Sequence, residues 1–185
     1  MIKRIKIDGY KSFRNFEVTL CPLSIIFGPN ASGKSNLLDA IYLLSRAATC
    51  KNLKEAFEGH RGLPLESFHY GEEGYEGLLK KPQIRFLLEV DVEISPQIRQ
   101  RVGEIVLEKR KGIESAESTK KIVTERFLRY RLEIEALPKA GYLRVVDERL
   151  AAIMQNGKEK KRKAFVEKVR ENGSDRLHLR MEGQA

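Results

Sequence analysis

Two cysteines in 185 residues, Cys21 and Cys50, form neither a metal-ligand set nor a redox pair. Both are read as reduced packing residues, Cys21 beside a strand and Cys50 at a helix end. No apolar run approaches the ~20 residues of a membrane-crossing helix. The amino terminus alternates apolar and basic residues (Ile2, Ile5 and Ile7 among Lys3, Arg4 and Lys6), whereas a secretory signal would put a basic region before an apolar block. These absences predict a cytoplasmic protein with no membrane segment. No internal repeat and no linker divides the chain. Acidic residues are in deficit: 26 Asp and Glu against 35 Lys and Arg give a formal charge of +9. That balance attracts polyanions, although a solvated lysine-rich surface accounts for it equally well. His60 and His69 lack partners at metal-ligand spacing, so a surface or packing role is expected for each.

One stretch carries distinctive chemistry. Residues 23–27 (LSIIF) form a short apolar run between Pro22 and Gly28, the pattern of a buried parallel strand. Gly28, Pro29, Asn30, Ala31, Ser32, Gly33, Lys34 and Ser35 then match G-x-x-x-x-G-K-[ST], the phosphate-binding loop. A helix starting near Gly33 continues through residues 36–44, in which Leu37, Leu38, Ile41 and Leu44 recur at helical spacing. A triphosphate is a dense negative charge and needs several N–H donors converging on it. Glycines let the backbone turn tightly and approach oxygen atoms with no Cβ in the way. A helix N-terminus adds unpaired N–H groups and the positive end of its dipole. Lys34 is expected to reach the β- and γ-phosphates, and Ser35 to ligate Mg²⁺.

Residues 5–16 (IKIDGYKSFRNF), followed by an apolar run and FGPNASGKSNLLDAI, resemble the amino-terminal half of the SMC/SbcC/RecF-like ATPases, including the ATPase lobe of OLD-family proteins. The resemblance is strong over about the first 45 residues and weaker beyond. Ala31 stands where the SMC branch most often has glycine, which points to a RecF- or OLD-like relative. The implied fold is α/β: a P-loop NTPase lobe with a mixed sheet, a central phosphate-loop helix and an antiparallel β subdomain, incomplete at the carboxy terminus. The implied function is ATP binding and, in the intact protein, hydrolysis coupled to head dimerisation and DNA repair or recombination. The alternatives are a regulatory lobe of an OLD-like nuclease or defence protein, and a remnant without turnover. The implied partners are ATP with Mg²⁺, DNA, a second ATPase head and a carboxy-terminal half. Lys11 or Arg14 is expected near the adenine or ribose edge. The family also needs an apolar strand ending in Asp-Glu. Asp147 and Glu148, after Leu143, Val145 and Val146, are the nearest match, but Arg144 interrupts the run and no Ser/Gly-rich signature precedes it.

Residues 1–50 are thus expected to form the nucleotide-binding core, residues 51–82 an irregular excursion with short helical turns, and residues 83–185 antiparallel strands with helices. Met1 to Leu20 reads as two strands joined by a tight turn. Residues 84–94 alternate with period two, with Phe86, Leu88, Val90, Val92 and Ile94 on one face and Arg85, Glu89, Asp91 and Glu93 largely on the other, its acidic row expected to be solvated. Ser95 and Pro96 start a helix with Ile98, Val102, Ile105 and Val106 as its apolar stripe and Gly112 past its end. Residues 113–121 read as loop. Residues 127–136 form a strand whose polar row, Arg129, Arg131, Glu133 and Glu135, suits cross-strand pairing with the acidic row, and residues 142–153 begin a third. Asn156-Gly157 marks a turn, residues 158–163 (KEKKRK) a solvated basic run, and residues 176–181 a last strand.

Overall fold

The computed structural model describes residues 1–110, 123–171 and 173–180. The expected loop at 113–121, Gly112 and the last residues of the chain lie outside these. Seven strands form one sheet in the order β2-β1-β3-β4-β5-β6-β7. They are β1 (Ile2–Asp8), β2 (Phe16–Thr19), β3 (Ile84–Glu93), β4 (Phe127–Leu137), β5 (Tyr142–Ala152), β6 (Val166–Glu171) and β7 (Ser174–Leu179). The described helices are α1 (Lys34–Thr49), α2 (Leu53–Phe57), α3 (Gly74–Lys80) and α4 (Pro96–Arg110), with 3-10 turns at Pro64–Ser67 and Pro138–Ala140.

The sheet is antiparallel, which corrects the expected mixed sheet. β1/β2, β5/β6 and β6/β7 pair antiparallel in register. At one end of β1, Met1 exchanges backbone hydrogen bonds with Glu93; at the other, Gly9 lies against Arg85. Ile94 N donates to Arg126 O while Arg85 reaches Glu135, so β3 and β4 run oppositely. Ile153 N donates to Phe127 O and Arg144 reaches Glu135, which fixes β4 against β5 in the same sense.

Residues 23–27 form no strand. Leu23, Ile25 and Phe27 are each about four-fifths exposed or more, at 82%, 79% and 89%. A parallel strand is buried only when neighbours pair with both edges and helices cover both faces. Among the described residues no strand pairs with this run.

The chain divides into two compact units. One comprises Arg4–Val90 and Arg131–Glu148. Its core joins Ile5 and Ile7 of β1, Leu37 and Leu43 of α1, Phe86 and Leu88 of β3, and Leu132 and Ile134 of β4, all buried. Tyr10 and Phe68 pack edge-on and tilted against Phe86, at ring separations of 5.3 and 4.8 Å. Glu89, expected on a solvated face, is not solvated. Glu89 and Glu135 are buried, held by Arg4 at 2.8 Å and by Arg85 at 2.7 Å. Arg144 also donates to Glu135, at 2.6 Å. Burial by itself would raise the Glu135 pKa, but the two guanidiniums outweigh it and hold the carboxyl below the ordinary carboxylate range.

The other unit comprises Met1–Lys3, Asp91–Tyr130 and Arg149–Ala185. Arg129 grips buried Asp91 through two hydrogen bonds of 2.7 Å. The arginines of β4 thus do pair with the acidic row of β3. Ser95 Oγ accepts from Ile98 N at 3.3 Å and Pro96 is the first residue of α4. The apolar stripe of α4 is not buried, however: Ile98, Val102 and Ile105 are all exposed. Cys21, expected to pack beside a strand, is exposed; Cys50 caps the end of α1 as expected. The basic run is anchored, because Lys160 and Arg162 both bind the buried Glu125. No sequence pattern marks strand β6. Its sequence, VEKVRE, alternates too weakly to stand out, although Asn-Gly at 172–173 is a two-residue hairpin signal and Glu171 pairs with Ser174 across it.

Candidate functional site

The backbone of residues 28–33 bends sharply ahead of α1. Three of its residues have positive φ: Gly28 at 153°, Ala31 at 64° and Gly33 at 92°. Glycine adopts such values freely, whereas alanine does so at a cost. Gly33 is the N-cap of α1, and Leu37 N donates to its carbonyl at 3.0 Å. The N–H groups of Lys34, Ser35 and Asn36 fall in the first turn, where a helix offers no acceptor of its own. The Lys34 ammonium curls back into the bend and donates to Gly28 O at 2.8 Å and Pro29 O at 2.6 Å. A cation therefore sits inside a ring of loop backbone, ahead of free helix donors. Ser35 is exposed beside it, its hydroxyl open to a ligand. Among the described residues no cluster of His, Cys, Asp and Glu could hold a metal ion. A magnesium ion here would depend on the Ser35 hydroxyl and on oxygen atoms brought by the ligand.

The helix behind the loop begins at Lys34, in keeping with the expected start near Gly33. Leu37 and Leu44 face the core as expected, but Leu38 is exposed at 61%. The loop is tied to the turn after β1. Asn36 Nδ2 donates to Ser12 Oγ at 2.9 Å, and a Cβ on Gly33 would lie 2.9 Å from that oxygen. Lys11 Nζ pairs with Asp39 of α1 at 2.7 Å and donates to Arg61 O at 3.2 Å. Beneath them the Tyr10 hydroxyl lies 2.7 Å from His60 Nε2. Burial pushes the phenol above its ordinary pKa, with Asp39 adding to the shift. Burial also lowers His60, with the Lys11 ammonium adding to it. Tyr10 keeps its proton and His60 stays neutral at pH 7. No sequence signal marks this network, because its partners lie 28 to 50 residues apart.

Of the other expected site residues, Lys11 borders a cavity beside α1, whereas Arg14 is exposed and does not line it. Asp147 and Glu148 lie in the middle of antiparallel β5, and Arg131 Nε donates to Asp147 at 2.8 Å. Desolvation lowers the Arg131 pKa, but its hydrogen bond to Asp147 and the charges around it raise the value overall. Asp147 is thus committed to the sheet, and neither carboxylate stands at a strand end facing the loop.

Residues 1–175 match the family described as AAA ATPase domain. The chain is 35% identical over 94 residues to an ATP/GTP phosphatase of Helicobacter pylori, covering 49% of this chain and 25% of that protein. It is 27% identical over 96 residues to the DNA replication and repair protein RecF of Limosilactobacillus fermentum, covering 51% of this chain and 24% of that one. It is also 40% identical over 58 residues to the chromosome partition protein Smc of Halothermothrix orenii, covering 29% of this chain and 5% of Smc. The matched region thus spans about a quarter or less of these relatives.

Proposed function

From the premise that this chain belongs to the AAA ATPase domain family and is SMC/RecF-like, we propose that residues 28–36 bind the triphosphate of ATP. The observation that carries this is the bend at residues 28–33, wrapped around the Lys34 ammonium at the mouth of α1. On binding, Lys34 exchanges two neutral carbonyls for phosphate oxygens, a stronger, charge-assisted contact. Backbone N–H groups from Asn30 to Asn36 surround the phosphates, and Ser35 ligates Mg²⁺. Calorimetric titration of the chain with Mg-ATP tests this. Lys34→Ala is expected to abolish measurable binding, and an unchanged affinity refutes the assignment.

In the intact protein we take ATP binding to drive pairing of two heads, and hydrolysis to reset them during DNA repair or recombination in the cytoplasm. The exposed run at residues 23–27 supports a contribution from a carboxy-terminal half, whose strands would pair with it. The engagement of Asp147 by Arg131 favours a chain that binds nucleotide without activating the attacking water. ATPase assays on this chain alone, and again with that half added, separate a binding lobe from a complete enzyme.

A further inference from the structure

Five of the six residues 158–163, in the connection between β5 and β6, are lysine or arginine. A charge run of this kind is ordinarily a loose, solvated loop. Here it is fixed at its ends and in its middle. Met154 N donates to Lys158 O at 2.8 Å, Lys160 N to Ala152 O at 2.9 Å, and Phe165 N to Leu150 O at 2.7 Å. Lys160 and Arg162 reach the two oxygens of Glu125, a buried carboxylate, at 2.7 and 3.0 Å. The Arg162 guanidinium also lies over the Phe165 ring, 4.9 Å from its centre. Glu159, the one acidic residue of the run, is taken by Arg149 at 3.0 Å. Two cations thus hold the loop down. Lys158, Lys161 and Lys163 are exposed, and among the described residues no carboxylate pairs with them. Three unmatched positive charges therefore stand on a short loop whose backbone is already ordered, so a ligand there would have little chain left to immobilise.

We infer that this loop contacts the phosphate backbone of a nucleic-acid duplex through Lys158, Lys161 and Lys163, without reading its sequence. The inference is independent of the triphosphate assignment at residues 28–36. Lysine is a point charge that suits a phosphate oxygen, and neutralising backbone phosphates releases the counterions condensed on them. A splayed single strand needs rings on which its bases stack. Phe165 is the one ring in residues 154–165, and Arg162 covers it. Reading a base edge needs a side-chain fork or amide. Arg162, the one fork in the run, is committed to Glu125. A lipid surface needs apolar side chains beside the cations, to enter the headgroup layer. Residues 155–163 contain none. A duplex presents dense phosphate charge with its bases stacked away inside, which is the chemistry that three exposed ammonium groups match.

The test titrates the full chain, without nucleotide, into a fluorescently labelled duplex of arbitrary sequence and follows anisotropy. At about 50 mM salt the double variant Lys161→Ala/Lys163→Ala is expected to bind about a hundredfold more weakly, and the slope of log K against log salt should become shallower by about 1.8. Both side chains are exposed, so its urea midpoint should match the wild type. Lys161→Arg/Lys163→Arg keeps the charges and should restore binding. Lys80→Ala/Lys81→Ala removes the same net charge at exposed residues far along the chain and should bind like the wild type. Equal losses in this pair and in the loop pair overturn the inference, because binding then follows net charge alone. A wild type that binds no duplex overturns it too. So does tighter binding of the single strand than of the duplex, or retention by phosphatidylserine vesicles through these lysines with no duplex bound. Duplex DNA and duplex RNA of one sequence separate the two sources of such a backbone, and binding of either through Lys161 and Lys163 bears the inference out. Lys34→Ala should bind duplex like the wild type. Failure of the nucleotide assignment and failure of this one are thereby read from different variants and different ligands.

Discussion

Ala31 carries a strain that its neighbours in the loop avoid. At φ 64° its Cβ crowds the following carbonyl, a penalty of about 1–2 kcal/mol that glycine does not meet. Glycine also loses more freedom on folding, which returns part of that gain. Ala31→Gly is therefore expected to stabilise the chain by about 0.5–1 kcal/mol, read as a rise in the urea midpoint at constant m. Nucleotide affinity should hold or improve, since the loop amides keep their positions. A lower midpoint would mean that the bend is not left-handed at this residue. The sequence made the loop legible here because glycine, lysine and serine at fixed spacing report local backbone chemistry. The Tyr10–His60 and Lys11–Asp39 contacts behind it were not legible, because each joins residues that only the fold brings together.

Among the elements, the turn just after β1 packs closely on β3 at Gly9. A Cβ there would stand 2.5 Å from Arg85 O and 3.3 Å from the Phe86 Cα, both main-chain atoms that cannot swing aside. Its φ of +72° adds a second obstacle. Gly9→Ala should therefore cost about 3 kcal/mol, combining overpacking with a left-handed alanine. The urea midpoint would report it, and a loss below about 1 kcal/mol would show that the strands can separate locally without cost. Period-two alternation identified β3 because burial of Phe86 and Leu88 is written directly into the residue order. The same reasoning failed at residues 23–27, where an apolar run states a need for cover without naming the cover. It failed again on the polar row of β3, because alternation distinguishes two faces and cannot tell water from a facing arginine. Glu89 and Asp91 are buried against guanidiniums supplied from β1 and β4.

Across the whole molecule, a formal charge of +9 coexists with many acidic side chains already matched by arginine or lysine. Folding therefore depends on carboxylates staying ionised, and acid should act through them. Glu93 is the sharpest case. Hydrogen bonds from Lys3 and then Arg126 bring its pKa from 4.5 down to about 2. A group whose pKa is lower in the folded state binds fewer protons there than in the unfolded chain. Its contribution is complete above pH 4.5, falls as the pH drops below that value, and is gone once the pH has passed about 2. Glu135 is shifted in the same direction, so the wild type should lose stability on acidification through more than one site. Replacing Glu93 with Gln removes one titration and leaves the others. Urea unfolding measured at steps from pH 6 down to pH 2.5 should then show a shallower decline for Glu93→Gln than for the wild type, with the two curves converging at the acid end. Added sodium chloride should narrow the gap between them at pH 6, because Lys3 and Arg126 are solvent-accessible and their attraction to Glu93 is screened. Parallel curves across the whole range would mean that Glu93 titrates alike in the folded and unfolded chain, and that the stability lost in acid comes from the buried pairs alone.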